Sequence, residues 1–319
     1  MQTLTTLLIS FIALLNAEAQ RKIWFDTDIM IGMPDKEARE VDDGIALIMA
    51  LKQPQIKIVG LSTVTYVEYG YGISQKLIDW HNKGEKIPVY KGSPFANDLG
   101  VENDATRAMY QALKKEKLTI LALGPVTNVA TLIKNHPDII NQIDTIVICA
   151  ARTPNLPFNP GLGKLNVYDY NYEMDTSSMN VLLRSPINLI FAGYEPSSYT
   201  FIGPIDLQML NQNNEADQWL SKVLQPWMKL NEKLFGVNGF IPYDCSTLGV
   251  ITHSNYFTYF KDIPIKVNYK PNDALTVQTG IKVKPFLEVS YDFKSNKEVK
   301  YASRALHGFE EIILGTLKK

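Results

Sequence analysis

Short apolar runs alternate with segments of helical periodicity along the first two thirds of the chain. Apolar runs of strand length lie at 22–25, 56–64, 87–90, 118–123, 145–150 and 187–192. Apolar residues recur at helical spacing in the segments between them, from Asp42 and over 72–82, 103–115, 126–135 and 176–184. Residues 151–174 lack periodicity and predict a long loop. This alternation predicts βαβ units, and therefore an α/β fold with an open, mostly parallel, Rossmann-like sheet flanked by helices.

The pattern becomes more helical after residue 204. It predicts helices at 204–212, at 216–235 with an interruption at Pro226, and from Asp244 onward. Antiparallel edge strands at 263–269 and 282–291 and a last helix at 302–317 follow. No linker, repeat or shift in composition divides the sequence. We therefore expect residues 20–319 to form one domain.

The first nineteen residues differ in character from the rest. An apolar core from Leu4 to Leu15 is followed by Ala17-Glu18-Ala19, which has the form of an A-x-A cleavage site. The apolar run is short for a membrane span, and no cysteine follows it that would carry a lipid. We expect residues 1–19 to be a signal peptide and the mature protein to be exported, either to the periplasm or to the medium.

Composition is that of a globular protein and gives few hints of a macromolecular partner. The chain of 319 residues is 45% apolar and 20% charged, with a formal charge of −1. This balance gives no argument for binding nucleic acid or a membrane surface, and we expect neither partner. The two cysteines, Cys149 and Cys245, lie in apolar contexts and are predicted to be buried free thiols, although export would permit a disulfide.

Four carboxylates lie where the first strand ends and the first helix begins. Asp26 and Asp28 end the strand, and Asp42 and Asp43 open the helix. Because this junction faces the ligand crevice in α/β sheets, we expect the four groups to lie close together. Their mutual repulsion would be relieved by a hard divalent cation with oxygen ligands, Ca²⁺ before Mg²⁺. Ordinary helix capping would also explain Asp42 and Asp43 taken alone.

This stretch resembles the N-terminal signature of the inosine-uridine-preferring nucleoside hydrolases, in which a strand ending in DTD precedes a DD pair. The family's common form has only a short spacing between the two, whereas Asp28 and Asp42 are fourteen positions apart here. The extra loop, Ile29 to Val41, is therefore an insertion, and we expect it to reshape the crevice entrance and restrict which bases enter. The resemblance extends along nearly all of residues 22–316.

Three later segments resemble further motifs of that family. In LTILALGPVTNVATLI the resemblance implies that the carbonyl of Leu123 is a metal ligand. Asp169-Tyr170-Asn171 resembles the segment whose carboxylate and asparagine bind ribose hydroxyls, and Asn166 is a further candidate nearby. In Pro242-Tyr243-Asp244, Asp244 corresponds to a metal ligand, and Tyr243 takes the place of the histidine that serves one branch as leaving-group acid.

The resemblance implies Ca²⁺-dependent hydrolysis of the N-glycosidic bond of ribonucleosides, which gives free base and ribose. The implied metal ligands are Asp28, Asp43, Leu123 and Asp244; the implied catalytic residues are Asp28, as general base, and Tyr243; the implied substrate-binding residues are Asp42, Asp169, Asn171 and Asn166. Asp26 would support the loop that carries Asp28 without binding the metal itself. Tyr66, Tyr69 and Tyr71, which follow the second strand, are candidates to stack on the base. We also expect a homo-oligomer, either a dimer or a tetramer.

Two other hypotheses remain open at this point. Asp26-Thr27-Asp28 also resembles the first motif of the haloacid-dehalogenase phosphatases. That motif, however, has a threonine where this chain has Met30, and the later motifs of those phosphatases are missing from the sequence. An exported, non-catalytic protein that binds nucleosides or sugars on the same fold would explain the missing histidine and the enlarged loop.

Overall fold

The computed structural model describes residues 20–82, 84, 86–162, 166–208, 210, 214–274 and 280–318, so the predicted signal peptide lies outside the described residues. Nine strands of the described chain are β1 (Arg21–Thr27), β2 (Ile56–Thr63), β3 (Val89–Lys91), β4 (Leu118–Ala122), β5 (Ile143–Ile148), β6 (Leu189–Phe191), β7 (Phe257–Pro271), β8 (Val283–Val289) and β9 (Glu298–Ala305). They form one mixed sheet in the order β3-β2-β1-β4-β5-β6-β9-β7-β8. Neighbours from β3 to β9 run parallel, and β7 is antiparallel to both β9 and β8.

Helices cover both faces of the sheet. They are α1 (Asp42–Leu51), α2 (Val67–His81), α3 (Asp104–Lys115), α4 (Thr127–Asn135), α5 (Tyr170–Glu173), α6 (Thr176–Arg184), α7 (Tyr194–Ser197), α8 (Pro204–Leu207), α9 (Glu215–Phe235), α10 (Tyr243–Thr252) and α11 (Phe309–Leu317). Short 3₁₀ turns lie at Ala96–Asp98, Pro137–Gln142 and Ser254–Tyr256. None of the described helices combines the length and the apolar character that crossing a bilayer requires.

The core is divided by the sheet, and alternate strand residues enter opposite halves. On β1, Ile23 and Phe25 pack into the half that contains α1, α2, α10 and α11, whereas Trp24 packs into the half that contains α3, α4 and α6. Side chains that are apolar on both faces are typical of a parallel strand covered by helices on both sides. The predicted α/β fold with an open, mostly parallel sheet is therefore confirmed. Cys149 and Cys245 are buried free thiols, as expected.

The C-terminal prediction was wrong in one important respect. Residues 298–305, part of which were expected to begin the last helix, form β9 in the middle of the sheet. Tyr301 is fully buried there, while Leu306, which seemed to share a helical stripe with Phe309, is 41% exposed. Pairing with β6 and β7 outweighs local helical periodicity, because a central strand satisfies its backbone on both sides.

Two helix boundaries also differ from the prediction. Helix α2 begins at Val67 rather than at residue 72, and α9 is continuous through Pro226. Pro226 lies on the exposed side of α9, whereas Leu224 and Met228 continue a buried stripe past it. The hydrogen bond that the proline removes thus faces solvent, and burial of the stripe keeps the helix intact.

Candidate active site

Three buried carboxylates meet where α1 packs against α10, at the carboxyl ends of the central strands. Asp42 and Asp43 occupy the first turn of α1, and Asp244 occupies the first turn of α10. One carboxylate oxygen from each of the three lies within 4.8 Å of the others, and each residue is only 4% exposed. We call Asp42, Asp43 and Asp244 the carboxylate triad. Its all-oxygen donor set fits a hard divalent cation.

The triad differs from the predicted ligand set in one member. It contains Asp42, which was expected to bind substrate, and it does not contain Asp28, which was expected to be a ligand. Asp28 nevertheless lies at the same strand end, is 4% exposed, and interacts electrostatically with all three triad members. A Cβ on Gly124 would come within 2.8 Å of Asp28 Oδ1, so glycine is required there for Asp28 to sit against the β4 turn.

Burial and mutual repulsion raise the pKa values of the carboxylates at this site. Burial raises the pKa of Asp42 to about 6. Burial and the charge of Asp42 together raise the pKa of Asp43 to about 7. Burial and the neighbouring carboxylates also hold the pKa values of Asp28 and Asp244 well above their usual range. A divalent cation would replace the protons on these carboxylates, and its positive charge would offset their mutual repulsion. The residues present therefore fit a metal site.

Several hydrogen bonds fix the orientation of the triad. Thr27 Oγ1 donates to Asp43 Oδ1. The backbone N–H of Asp244 donates to Asp42 Oδ2 at 3.4 Å, so the Asp42 carboxylate faces the N-terminus of α10. The positive end of the α10 dipole favours a negative charge at this point. Asp42 therefore joins α1 to α10 and lies beside Asp244.

Asp26 lies beneath the site and does not belong to the triad. Its Oδ1 accepts hydrogen bonds from Ser62 Oγ and, at 2.9 Å, from Asn128 Nδ2. Trp24 Nε1 donates in turn to Ser62 Oγ at 2.7 Å. Burial raises the pKa of Asp26 to about 6. This chain of contacts ties the end of β1 to β2 and to α4, and supports the loop that carries Asp28.

Leu123 and Asn171 contact each other directly. Asn171 Nδ2 donates to the Leu123 carbonyl at 2.7 Å and to the Cys149 carbonyl at 3.0 Å. The predicted metal-ligating carbonyl of Leu123 thus accepts from a residue that was expected to bind ribose. A carbonyl has two lone pairs, so this hydrogen bond does not prevent Leu123 from serving as a ligand. It does give Asn171 the additional task of holding the ends of β4 and β5 together.

Asp169 lies at the same edge, after β5. Its Oδ2 accepts from the backbone N–H of Ala151 at 2.9 Å, and burial raises its pKa to about 6. Ala151 has a φ of 74°, a left-handed conformation that non-glycine residues adopt rarely and at a cost. Asn166 is placed differently, because its Nδ2 donates to the Asp273 carbonyl at 3.0 Å. This bond places Asn166 beside Asp273, and its contact with ribose stays a prediction.

Tyr243 begins α10, next to Asp244, and is half-buried. Its Oη has no hydrogen-bond partner among the described residues. Burial and the nearby ring of Tyr194, whose centroid is 6.3 Å away, keep the pKa of Tyr243 well above 10. The group therefore stays protonated near neutral pH and can donate one hydrogen bond to a ligand.

The inserted loop is anchored rather than free. Ile29 and Ile31 are fully buried, and Ile31 packs against Gly44 of α1. Tyr69 Oη donates to the Ile31 carbonyl at 2.8 Å, so Tyr69 holds the loop. The hydroxyl of Tyr71 accepts from Gln75 at 3.2 Å. Stacking of these two rings on a base stays a prediction.

Sequence reasoning missed two residues at the end of the insertion. The charge of Glu40 acts on Asp28, Asp42 and Asp43, and burial with the charges of Asp42 and Asp43 raises the pKa of Glu40 to about 8. Arg39 precedes it and places its guanidinium carbon 5.6 Å from the centroid of the Tyr66 ring. The signal was the run Arg39-Glu40-Val41-Asp42-Asp43, in which four of the five residues that lead into the helix are charged.

Comparisons with known proteins match most of the chain. The family model described as "Inosine-uridine preferring nucleoside hydrolase" matches residues 23–302. The pyrimidine-specific ribonucleoside hydrolases RihB of Shigella flexneri and of an Escherichia coli strain are each 22% identical over 279 residues, which cover 76% of this chain and 86% of the relative.

Solved structures resemble this one over nearly the whole chain. A plant nucleoside hydrolase, the PpNRh1 enzyme, has a TM-score of 0.70 at 17% identity and covers 93% of this chain and 98% of its own. A purine-preferring ribonucleoside hydrolase from Gardnerella vaginalis has a TM-score of 0.71 at 18% identity and covers 93% and 99%. At these identities the structural likeness establishes the shared fold.

Proposed function

Because the chain belongs to the inosine-uridine preferring nucleoside hydrolase family, and is thus an N-glycosyl hydrolase of ribonucleosides, we propose that its activity depends on a bound Ca²⁺ ion. The observation that carries this proposal is the buried carboxylate triad with Asp28 beside it. We assign the ligands to Asp28, Asp43 and Asp244, with the Leu123 carbonyl as a fourth. Family membership does not favour the alternative of a non-catalytic binding protein.

The side chains of the site have separate roles in activating water and in binding ribose. The chemistry that a bound Ca²⁺ ion supplies is Lewis acidity, which makes a water molecule easier to deprotonate. Asp28 is the proposed general base for the attacking water. Asp42 accepts a hydrogen bond from the ribose 2′-hydroxyl and so favours an oxocarbenium-like transition state. Asp169 and Asn171 bind the other ribose hydroxyls from the start of α5.

Departure of the base is the second half of the reaction. Tyr243 donates a hydrogen bond to the leaving base, because its hydroxyl has no other partner among the described residues. A base that accepts a hydrogen bond leaves more easily than one that departs as a bare anion. Asn166 stays a predicted substrate contact, and its Nδ2 donates to the Asp273 carbonyl at 3.0 Å.

The test is a reducing-sugar assay over a panel of ribonucleosides. Wild type should release ribose, lose activity with a calcium chelator and recover it when Ca²⁺ is returned. Asp43→Asn should lose more than about 100-fold in activity, since even outer-shell changes cost 10- to 100-fold at metal sites. Asp104→Asn is the matched control, because Asp104 also lies in a helix's first turn but has a side chain that is 70% exposed. Full wild-type rates in chelator would refute the metal dependence.

We also propose that the protein is exported and acts as one catalytic domain over residues 20–319, in a homo-oligomer of two or four chains. The apolar segment Leu4 to Leu15 with its A-x-A site supports export. N-terminal sequencing of the extracytoplasmic fraction should find a chain that begins near Gln20, and light scattering should give its oligomeric state. An intact Met1 on cytosolic protein would contradict export, and a monomer would contradict the assembly.

A further inference from the structure

Arg39, whose side chain is 38% exposed, is oriented by Asp35 and Tyr66 at the end of the insertion. Asp35 Oδ2 accepts hydrogen bonds from its Nε, at 3.0 Å, and from its Nη2. The guanidinium carbon lies over the Tyr66 ring, 5.6 Å from the centroid. The bonds to Asp35 use Nε–H and one hydrogen of Nη2, so that contact leaves Nη1–H and the second Nη2–H as a parallel pair of donors. Orientation before binding reduces the entropy that a ligand contact would otherwise cost.

The ring of Tyr66, which lies against Arg39, is positioned by a strained turn. Thr65, directly before Tyr66, has a φ of 67°, which is rare for a β-branched residue. Its N–H donates to the Ser93 carbonyl at 2.9 Å and its carbonyl accepts from Val67 at 2.8 Å, so the turn is fixed on both sides. Strain of this kind persists where the surrounding structure enforces it, and it concentrates at ligand-binding segments.

Tyr66 lies at the same edge of the sheet as Asp28. It follows the end of β2, where the Val64 N–H donates to the Thr27 carbonyl of β1 at 3.0 Å. Two more tyrosines, Tyr168 and Tyr170, lie where α5 begins, with ring centroids 5.7 Å apart. The charge of Arg39 acts on both of them. Flat aromatic faces with a fixed guanidinium edge suit a planar heterocycle.

We infer that Arg39 recognises the leaving base and selects 6-oxopurine nucleosides, such as inosine and guanosine. This inference rests on the proposed nucleoside hydrolase function. A guanidinium donates two parallel hydrogen bonds, and 6-oxopurines present two adjacent acceptors, O6 and N7, on the edge remote from the ribose. Adenine has an amino donor in place of O6, and pyrimidines lack the adjacent pair on that edge.

The experiment compares kcat/KM for inosine, guanosine, adenosine and uridine. Wild type should prefer the two 6-oxopurine nucleosides. Arg39→Ala should lose roughly 5- to 150-fold on inosine and guanosine, the range expected for one bidentate contact, and little on adenosine. Arg39→Lys keeps the positive charge but not the two parallel N–H donors, so it should not restore the preference for 6-oxopurines. Arg304→Ala is the matched control, because Arg304 stacks on Tyr199 at 4.5 Å on the exposed surface.

A nitrophenyl riboside separates this inference from the proposed function. It lacks the purine O6 and N7, so its chelator-sensitive hydrolysis tests the proposed function and should fall much less than inosine hydrolysis in Arg39→Ala. Equal losses on the riboside and on all nucleosides would overturn the inference and show that Arg39 only maintains the loop. A wild-type preference for adenosine or uridine would overturn it as well. If wild type hydrolyses nothing, the proposed function fails, and calorimetry of inosine against adenosine binding still tests Arg39.

Discussion

Asp169 is ionised only at a cost in stability. Its pKa is raised by burial to about 6, from an ordinary value of 3.8. A carboxyl whose pKa is raised by folding stabilises the native state below pH 3.8, and that stabilisation is lost as the pH rises through 6. This follows because the folded chain holds the proton more tightly than the unfolded chain does.

Asp169→Asn should therefore stabilise the protein at pH 8 and have a much smaller effect near pH 4. The gain is at most about 3 kcal/mol, since each pKa unit corresponds to 1.36 kcal/mol. Urea unfolding at the two pH values measures it. Asp138→Asn, at an ion-paired surface carboxylate with a 55% exposed side chain, is the control and should change little. An equal gain at both pH values would contradict the assignment. Ribose binding should weaken in Asp169→Asn even as stability rises.

Tyr243→Phe should lower kcat by roughly 10²- to 10⁴-fold for ordinary nucleosides, the range expected for positioned acid assistance. A nitrophenyl riboside, whose leaving group needs no proton, should be nearly unaffected. Because Tyr243 Oη is buried without a partner among the described residues, its removal should leave the melting temperature unchanged or raise it. Similar losses of kcat on both substrates would show that Tyr243 does not assist the leaving group.

At the scale of elements, the insertion has two parts with different tasks. Residues 29–31 belong to the core, whereas Pro34 to Glu37 are exposed. Ile31→Ala should cost about 2–5 kcal/mol, as is usual for a buried aliphatic side chain. Lys36→Ala should change stability by less than about 0.5 kcal/mol. Chemical denaturation of both variants measures the contrast, and equal effects would refute the division.

Shortening only residues 33–38, with Arg39 and the buried anchor kept, should change the kcat/KM ratios among nucleosides more than the affinity for Ca²⁺. The reason is that Asp35, the hydrogen-bond partner that orients Arg39, is removed while the carboxylate triad is left intact. Steady-state kinetics and Ca²⁺ titration calorimetry provide the two measurements. A uniform loss for every substrate would indicate that this part of the loop is only structural.

The sequence correctly predicted those elements whose structure depends on residues close by in the chain. Helix α1 opens with an acidic pair and begins at Asp42 as expected, and the apolar run of β4 was placed to within a residue. Strand β9 was missed because its structure depends on pairing with strands far away in sequence. Within the site, the approach of Asp244 to Asp42 and Asp43 followed from the family resemblance. The roles of Arg39 and Glu40 depend on the path of a loop, which residue spacing does not encode.

At the scale of the whole molecule, the carboxylate triad joins two segments that are far apart in the sequence. Asp42 and Asp43 lie near the start, and Asp244 lies some two hundred residues later. A cation that binds only the folded arrangement stabilises the whole fold, by about 2.7 kcal/mol at a concentration of a hundred times Kd. Calcium should therefore raise the melting temperature of wild type.

Asp43→Asn should abolish this calcium-induced rise. In chelator, however, the variant should melt at a higher temperature than wild type, because one of several repelling buried carboxylates has been neutralised. Scanning calorimetry with chelator and with Ca²⁺ measures both effects. A variant that is less stable than wild type in chelator would show that Asp43 contributes more through its hydrogen bond from Thr27 than it costs in repulsion.

The position of β9 sets the order in which the protein can be completed during synthesis. Strand β9 is the last of the nine described strands in sequence, yet it lies between β6 and β7. Until residues 298–305 leave the ribosome, β6 has an open edge and the β7–β8 hairpin has no place on the sheet. Open strand edges invite pairing with other chains. A nascent chain that stops before residue 298 is therefore a substrate for chaperones or for aggregation, and the enzyme matures only in its final moments of synthesis.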